Sequence, residues 1–172
     1  ASPSSRPHRT STCPSRRAPV LTSLRRARPS RTTRTISNCP TRVTAASGIT
    51  FVNATGDPDR KDYIFEVKGG GVGALDYDND GWVDLVFSRG SSMERWRKGE
   101  NPGPVLYRNR GDGTFEDVTT KAGLTRGGWG VGVSAADYDN DGWVDLYLTN
   151  LGPDVLYRNH GDGTFTDVTE KA

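Results

Sequence analysis

From Val43 to the C-terminus, apolar residues recur at alternate positions in short runs broken by Gly, Asp and Asn. In "WVDLVFS", Val83, Leu85 and Phe87 share one face while Asp84 and Ser88 take the other; "WVDLYLT" repeats this with Val144, Leu146 and Leu148. A period of two rather than 3.6 predicts half-buried β-strands. "VLYRN" and "TFEDVT" read as two more strands, joined by a turn that holds Asp112-Gly113 in one place and Asp162-Gly163 in another. Asp-Gly supplies the positive φ angles that tight hairpins need. The small-residue runs "GGGVGAL" (Gly69 to Leu75) and "GWGVGVSAA" (Gly128 to Ala136) complete four strands per unit.

The units are copies of one another. "DYDNDGWVDL" occurs at Asp76 to Leu85 and at Asp137 to Leu146, 61 residues apart, whereas the "LYRN" motifs lie 50 apart. The first unit therefore carries an 11-residue insertion around "SSMERWRKGENPG". "VTAASGI" (Val43 to Ile49) echoes "VTTKAGL" (Val118 to Leu124). Four-stranded units at this spacing predict an all-β fold, a partial β-propeller of about two blades, roughly 69–124 and 128–172 within a repeat region 43–172. Small residues before each aspartate stretch suit a crowded propeller axis. No GKS/T or helix follows "GGGVG", so it is not read as a nucleotide loop. The last copy stops at "VTEKA", where a further repeat is expected. The chain is thus read as a piece of a larger protein, its remaining blades lying in cis or in an oligomer.

The alternation is absent from residues 1–42, which are rich in Arg, Ser, Thr and Pro. Such a segment cannot bury enough apolar surface to offset its ordering entropy, and it is expected to be a disordered tail. It also changes the reading of charge. It holds ten Arg and no acidic residue, leaving 13 basic against 21 acidic residues in the remainder, a net of −8. Clustered Arg can neutralise phosphates, but stacking aromatics and nucleic-acid motifs are missing, so nucleic acid is not the expected partner. Cys13 and Cys39, both in the tail, lack the spacing of a disulfide scaffold or zinc site and are expected as free thiols. No apolar run approaches the ~18 residues of a membrane span, and "SRRAPVLTSL" is too short and polar for a clear export signal.

Each aspartate stretch crowds four carboxylates into nine residues, which repel unless neutralised. Asp76, Asp78 and Asp80 stand at positions 1, 3 and 5, Gly81 at 6, Trp82 at 7 and Asp84 at 9. A chain looping around a hard cation turns alternate carboxylates inward, bends at Gly, and offers the carbonyl at position 7. Oxygen-only cages of this kind suit Ca²⁺, whereas softer metals favour His or thiolate. The second loop offers Asp137, Asp139, Asp141, the carbonyl of Trp143, and Asp145. An EF-hand would need an acidic residue at position 12, where Phe87 and Leu148 stand, so that alternative fails. The plainer alternative is an acidic hairpin using Asp and Asn as turn formers.

The two "DYDNDGWVDL" stretches, with "LYRNRGDGTFEDVTTKAG" and its second copy, resemble FG-GAP/VCBS repeats, the kind found in integrin α-chain propellers. More narrowly, "GGGVGALDYDNDG" with "LYRN" resembles bacterial proteins related to cartilage acidic protein, often carrying an ASPIC/UnbV domain. The resemblance spans Val43 to Ala172 and implies an exported Ca²⁺-binding propeller. Its place would be extracellular, periplasmic or at the cell surface, as an adhesion or binding scaffold for a protein or glycan partner. It implies two Ca²⁺ sites on the residues already named. The chain is not expected to be an enzyme; the alternative is an accessory propeller of an exported enzyme whose catalytic domain lies elsewhere.

Three features invite other readings. Arg110-Gly111-Asp112 spells RGD, but the second copy has His160 in place of Arg110, so the turn requires only Gly-Asp-Gly. His160 itself reads as a turn residue. Trp82 and Trp143 are expected either to pack between blades or to stack on a partner.

Overall fold

The computed structural model describes residues 46–57 and 59–172. The proposed disordered tail, 1–42, lies outside these residues, as does the start of the "VTAASGI" echo.

The described residues build two four-stranded antiparallel sheets, each a simple meander. The first holds β1 (Val72–Leu75), β2 (Asp84–Phe87), β3 (Val105–Asn109) and β4 (Phe115–Asp117). The second holds β5 (Gly130–Ala136), β6 (Asp145–Asn150), β7 (Val155–Asn159) and β8 (Phe165–Asp167). Pairing is equivalent in the two: Leu85 opposes Tyr107 as Leu146 opposes Tyr157, and Asn109 opposes Phe115 as Asn159 opposes Phe165. The fold is all-β, two blades of a partial propeller. Among the described residues helix is confined to a 3₁₀ turn at Ile64–Val67 and α1 (Met93–Lys98), which occupies the insertion between β2 and β3.

The Asp-Gly hairpins form as the sequence requires. Asp112 Oδ1 accepts from the backbone N–H and the hydroxyl of Thr114 at 2.9 and 2.6 Å, and Asp162 does the same with Thr164. The Asp of the RGD triplet is therefore spent inside its own turn, and Arg110 is paired with Glu116 at 2.9 Å.

The blades stack back to front. Leu75, Tyr77, Val86 and Leu106 of the first join Leu146, Leu148, Val155, Tyr157 and Phe165 of the second in one core. Val118, Ala122 and Leu124 of the connecting segment complete it. Tyr77 and Phe165 stack across the junction with centroids 6.1 Å apart. The first strands of the blades meet at the inner edge, where a Cβ on Gly71 would stand 2.7 Å from Gly132 Cα. That close approach explains the small-residue runs.

The alternation needs one correction. In the first blade the Asp84–Val86–Ser88 face is the deeply buried one, and Val83 is exposed. In the second blade Leu146 and Leu148 are buried, while Tyr147, at the position of Val86, is 42% exposed. A propeller blade has two packing faces, and successive blades contribute opposite ones to each junction, so a single inward face does not describe both copies.

The echo before the first blade has a structural counterpart. Phe115 N donates to Ser47 O at 2.7 Å and Thr50 N to the Tyr107 hydroxyl at 3.2 Å. In the second blade Phe165 N donates to Ala122 O, and Arg126 N to the Tyr157 hydroxyl, each at 2.8 Å. Each blade thus carries on one face a strap that precedes it in sequence.

Candidate metal centre

The aspartate loops are the β1–β2 and β5–β6 connections. Each turns on two residues with positive φ, Asn79 (54°) and Gly81 (87°) in one, Asn140 (59°) and Gly142 (89°) in the other. Asn tolerates the left-handed region better than most side chains and Gly enters it freely, which accounts for "DNDG". Asp76 closes its loop from the start: Oδ1 accepts from Asp80 N at 3.0 Å and Oδ2 from Gly81 N at 2.8 Å. Asp137 does the same for Asp141 N and Gly142 N.

The ninth-position aspartates are buried at the first residue of β2 and of β6. Asp84 accepts from Tyr77 N at 3.0 Å and from Asn109 N at 2.7 Å, tying the loop to the end of β3. Asp145 repeats both bonds with Tyr138 N and Asn159 N. Burial pushes the Asp84 carboxyl up to about 6, against the two backbone donors, which lower it; Asp78 and Asp80 add to the rise. A carboxylate so desolvated favours a nearby cation, because positive charge restores the stability of its ionised form.

Oxygens of Asp76, Asp78 and Asp84 converge within 4.8 Å of one another, and so do those of Asp137, Asp139 and Asp145. Asp78 Oδ1 is buried and meets no hydrogen-bond partner. Buried unsatisfied acceptors are uncommon and call for an explanation. Three carboxylates, one with an orphaned oxygen, fit a hard cation in donor chemistry, and the triads could hold a metal ion.

The fifth-position aspartates stand apart from these triads. Asp80 Oδ1 accepts from Trp82 N at 2.9 Å and its Oδ2 from Arg108 Nη2 at 2.8 Å. Arg108 Nε also stands 2.6 Å from Asp78 Oδ2, an ion pair without hydrogen-bond geometry. Arg158 repeats the arrangement, with Nε 2.6 Å from Asp139 Oδ2 and Nη2 donating to Asp141 Oδ2 at 3.0 Å. The indoles of Trp82 and Trp143 lie against Gly111 and Gly161 of the hairpin in their own blade, and Trp82 remains 51% exposed.

Sequence reasoning passed over the "RN" of "LYRN". Asn109 Nδ2 donates to Val83 O at 2.9 Å and its Oδ1 accepts from Gly111 N. Asn159 makes both equivalent bonds and a third across the junction, from Nδ2 to Tyr77 O at 2.8 Å. The signal was available: an Arg and an Asn recur at the same place beside two acidic loops.

The FG-GAP-like repeat profile matches residues 76–148 and again 137–172, each match opening on the first aspartate of a loop. The chain belongs to the FG-GAP-like repeat family. The two FG-GAP-like matches together run from the first aspartate loop to the C-terminus, over β2 to β8. No curated protein matches this FG-GAP-like chain. Among its described residues no helix is long and apolar enough to cross a membrane.

Proposed function

We propose that the chain is a calcium-binding FG-GAP-like module that serves outside the cell as a binding scaffold for a protein or glycan. One Ca²⁺ would be held by Asp76, Asp78, Asp80, Asp84 and the Trp82 carbonyl. The other would be held by Asp137, Asp139, Asp141, Asp145 and the Trp143 carbonyl. The observation that carries the reading is the repeated convergence of three carboxylates within 4.8 Å. All-oxygen donor sets favour Ca²⁺ over softer metals. The ion would neutralise the loop and join the start of β2 to the loop that precedes it.

A scaffold role, rather than catalysis, is supported by how the polar residues are used. His160 engages the Thr166 hydroxyl at 2.7 Å, and the hairpin aspartates are committed to their turns. The narrower likeness to bacterial proteins related to cartilage acidic protein rests on "GGGVGALDYDNDG" and "LYRN", and it favours an exported setting.

Terbium tests the reading, because it replaces Ca²⁺ and is sensitised by nearby indoles such as Trp82 and Trp143. Excitation of Trp should give Tb³⁺ emission that calcium quenches. Asp78→Asn with Asp139→Asn should remove most of it. Undiminished emission in that double variant would show that the ions bind elsewhere.

A further inference from the structure

We infer that Arg108 and Arg158 are resident counter-cations, displaced when a divalent ion enters, and that this exchange sets the calcium affinity of each loop. The inference rests on the calcium reading and deepens it.

Four observations support it. First, each guanidinium bridges the third- and fifth-position aspartates of its own loop, with the same atoms at nearly the same distances in both blades. Second, the two aspartates that stand outside the triads, Asp80 and Asp141, are those that receive the Arg Nη2 hydrogen bond. The guanidinium thus holds the fifth ligand away from the others. Third, each guanidinium can be reached from solvent. The Nε contacts to Asp78 and Asp139 are close but lack hydrogen-bond geometry, and the Arg side chains are 42% and 40% exposed. Fourth, Arg108 has room to leave. It lines an open cleft of about 260 Å³ between the blades.

The electrostatics give the sign. Without an ion, one guanidinium offsets part of the repulsion among four aspartates, which keeps the loop folded. With an ion, the same positive charge opposes the incoming one and occupies two of its ligands. Deleting the guanidinium charge therefore costs the cation-free loop more than the loaded one, where the ion already offsets part of the repulsion, and that difference tightens binding. Partial exposure screens the interaction, so the change is moderate.

The test uses the full 172-residue chain, stripped of metal, with calcium titrated by calorimetry and melting followed in chelator and in calcium. Arg108→Gln with Arg158→Gln should bind calcium about three- to thirtyfold more tightly than the parent. It should melt lower in chelator and gain more from calcium. Lys at both positions keeps the charge but cannot bridge two carboxylates as a planar fork, so it should fall between the two. Affinity in the Gln pair that is unchanged or weaker would overturn the exchange and leave the arginines as mere braces. If the Gln pair fails to fold, the Lys pair decides: affinity no tighter than the parent overturns the inference. The calcium reading fails separately, on a parent and Gln pair that both bind none, and the inference then falls with it. Uptake by the Gln pair alone would support the inference in its strongest form.

Discussion

At the scale of single residues, the buried polar groups hold the loops in place. Asn159 is fully buried, and its side-chain Nδ2 donates to the backbone of both aspartate loops, at Tyr77 O on one side and Val144 O on the other, while its backbone N–H donates to the Asp145 carboxylate. Asn109 makes the within-blade bonds and lacks the bond across the junction. A buried acceptor left without its donor costs about 1–3 kcal/mol. Asn159→Ala should therefore destabilise the chain by roughly 2–4 kcal/mol, and Asn109→Ala by about 1–2. Chemical denaturation of the two variants checks the ranking, and equal losses would remove the special role of the bond across the junction. The two asparagines are identical in the sequence; only the presence of a preceding blade makes them different.

At the scale of elements, the insertion in the first unit is a short helix and little else. Ser92 caps α1 by accepting from Arg95 N, Gly99 ends it in the left-handed region at φ 71°, and none of its residues is buried. A six-residue helix is too short to be stable by itself. The helix reaches the second blade through Trp96 Nε1 to Leu151 O, at 3.4 Å and exposed. Loop-closure entropy changes slowly with length. Replacing Met93 to Gly99 by a short Gly-Ser link should therefore cost less than about 1 kcal/mol. A larger loss, read from the thermal midpoint, would mean that the helix supports the blade beneath it. The alternating strands and Asp-Gly hairpins, by contrast, were legible because each depends on local sequence alone.

At the scale of the whole molecule, equivalent positions carry unequal energies. Val86 is fully buried at the junction of the blades, whereas Tyr147 occupies the same register in the second sheet and is 42% exposed. Truncating a buried Val loses transfer free energy and leaves a cavity, so Val86→Ala should cost roughly 1–3 kcal/mol. Tyr147→Ala should cost less than about 1 kcal/mol, since it gives up one exposed hydrogen bond to Asp154. Melting of the two variants measures the difference. If Tyr147→Ala costs as much as Val86→Ala, the outer face of the second blade is covered in solution.

The amino-acid sequence by itself determined the repeat, the period of two, the four-strand unit, the hairpin turns and the two acidic loops. These follow from backbone preferences and from residues near one another in the chain. Tertiary structure alone decided which face of each sheet became core, because that depends on the neighbouring blade. It also selected three of the four side-chain carboxylates in each loop for a common focus and assigned the fourth to Arg108 or Arg158. Those partners lie 28 and 17 residues from the Asp80 and Asp141 they hold. Pairing over such separations is set by strand register and stacking, which spacing along the chain does not encode.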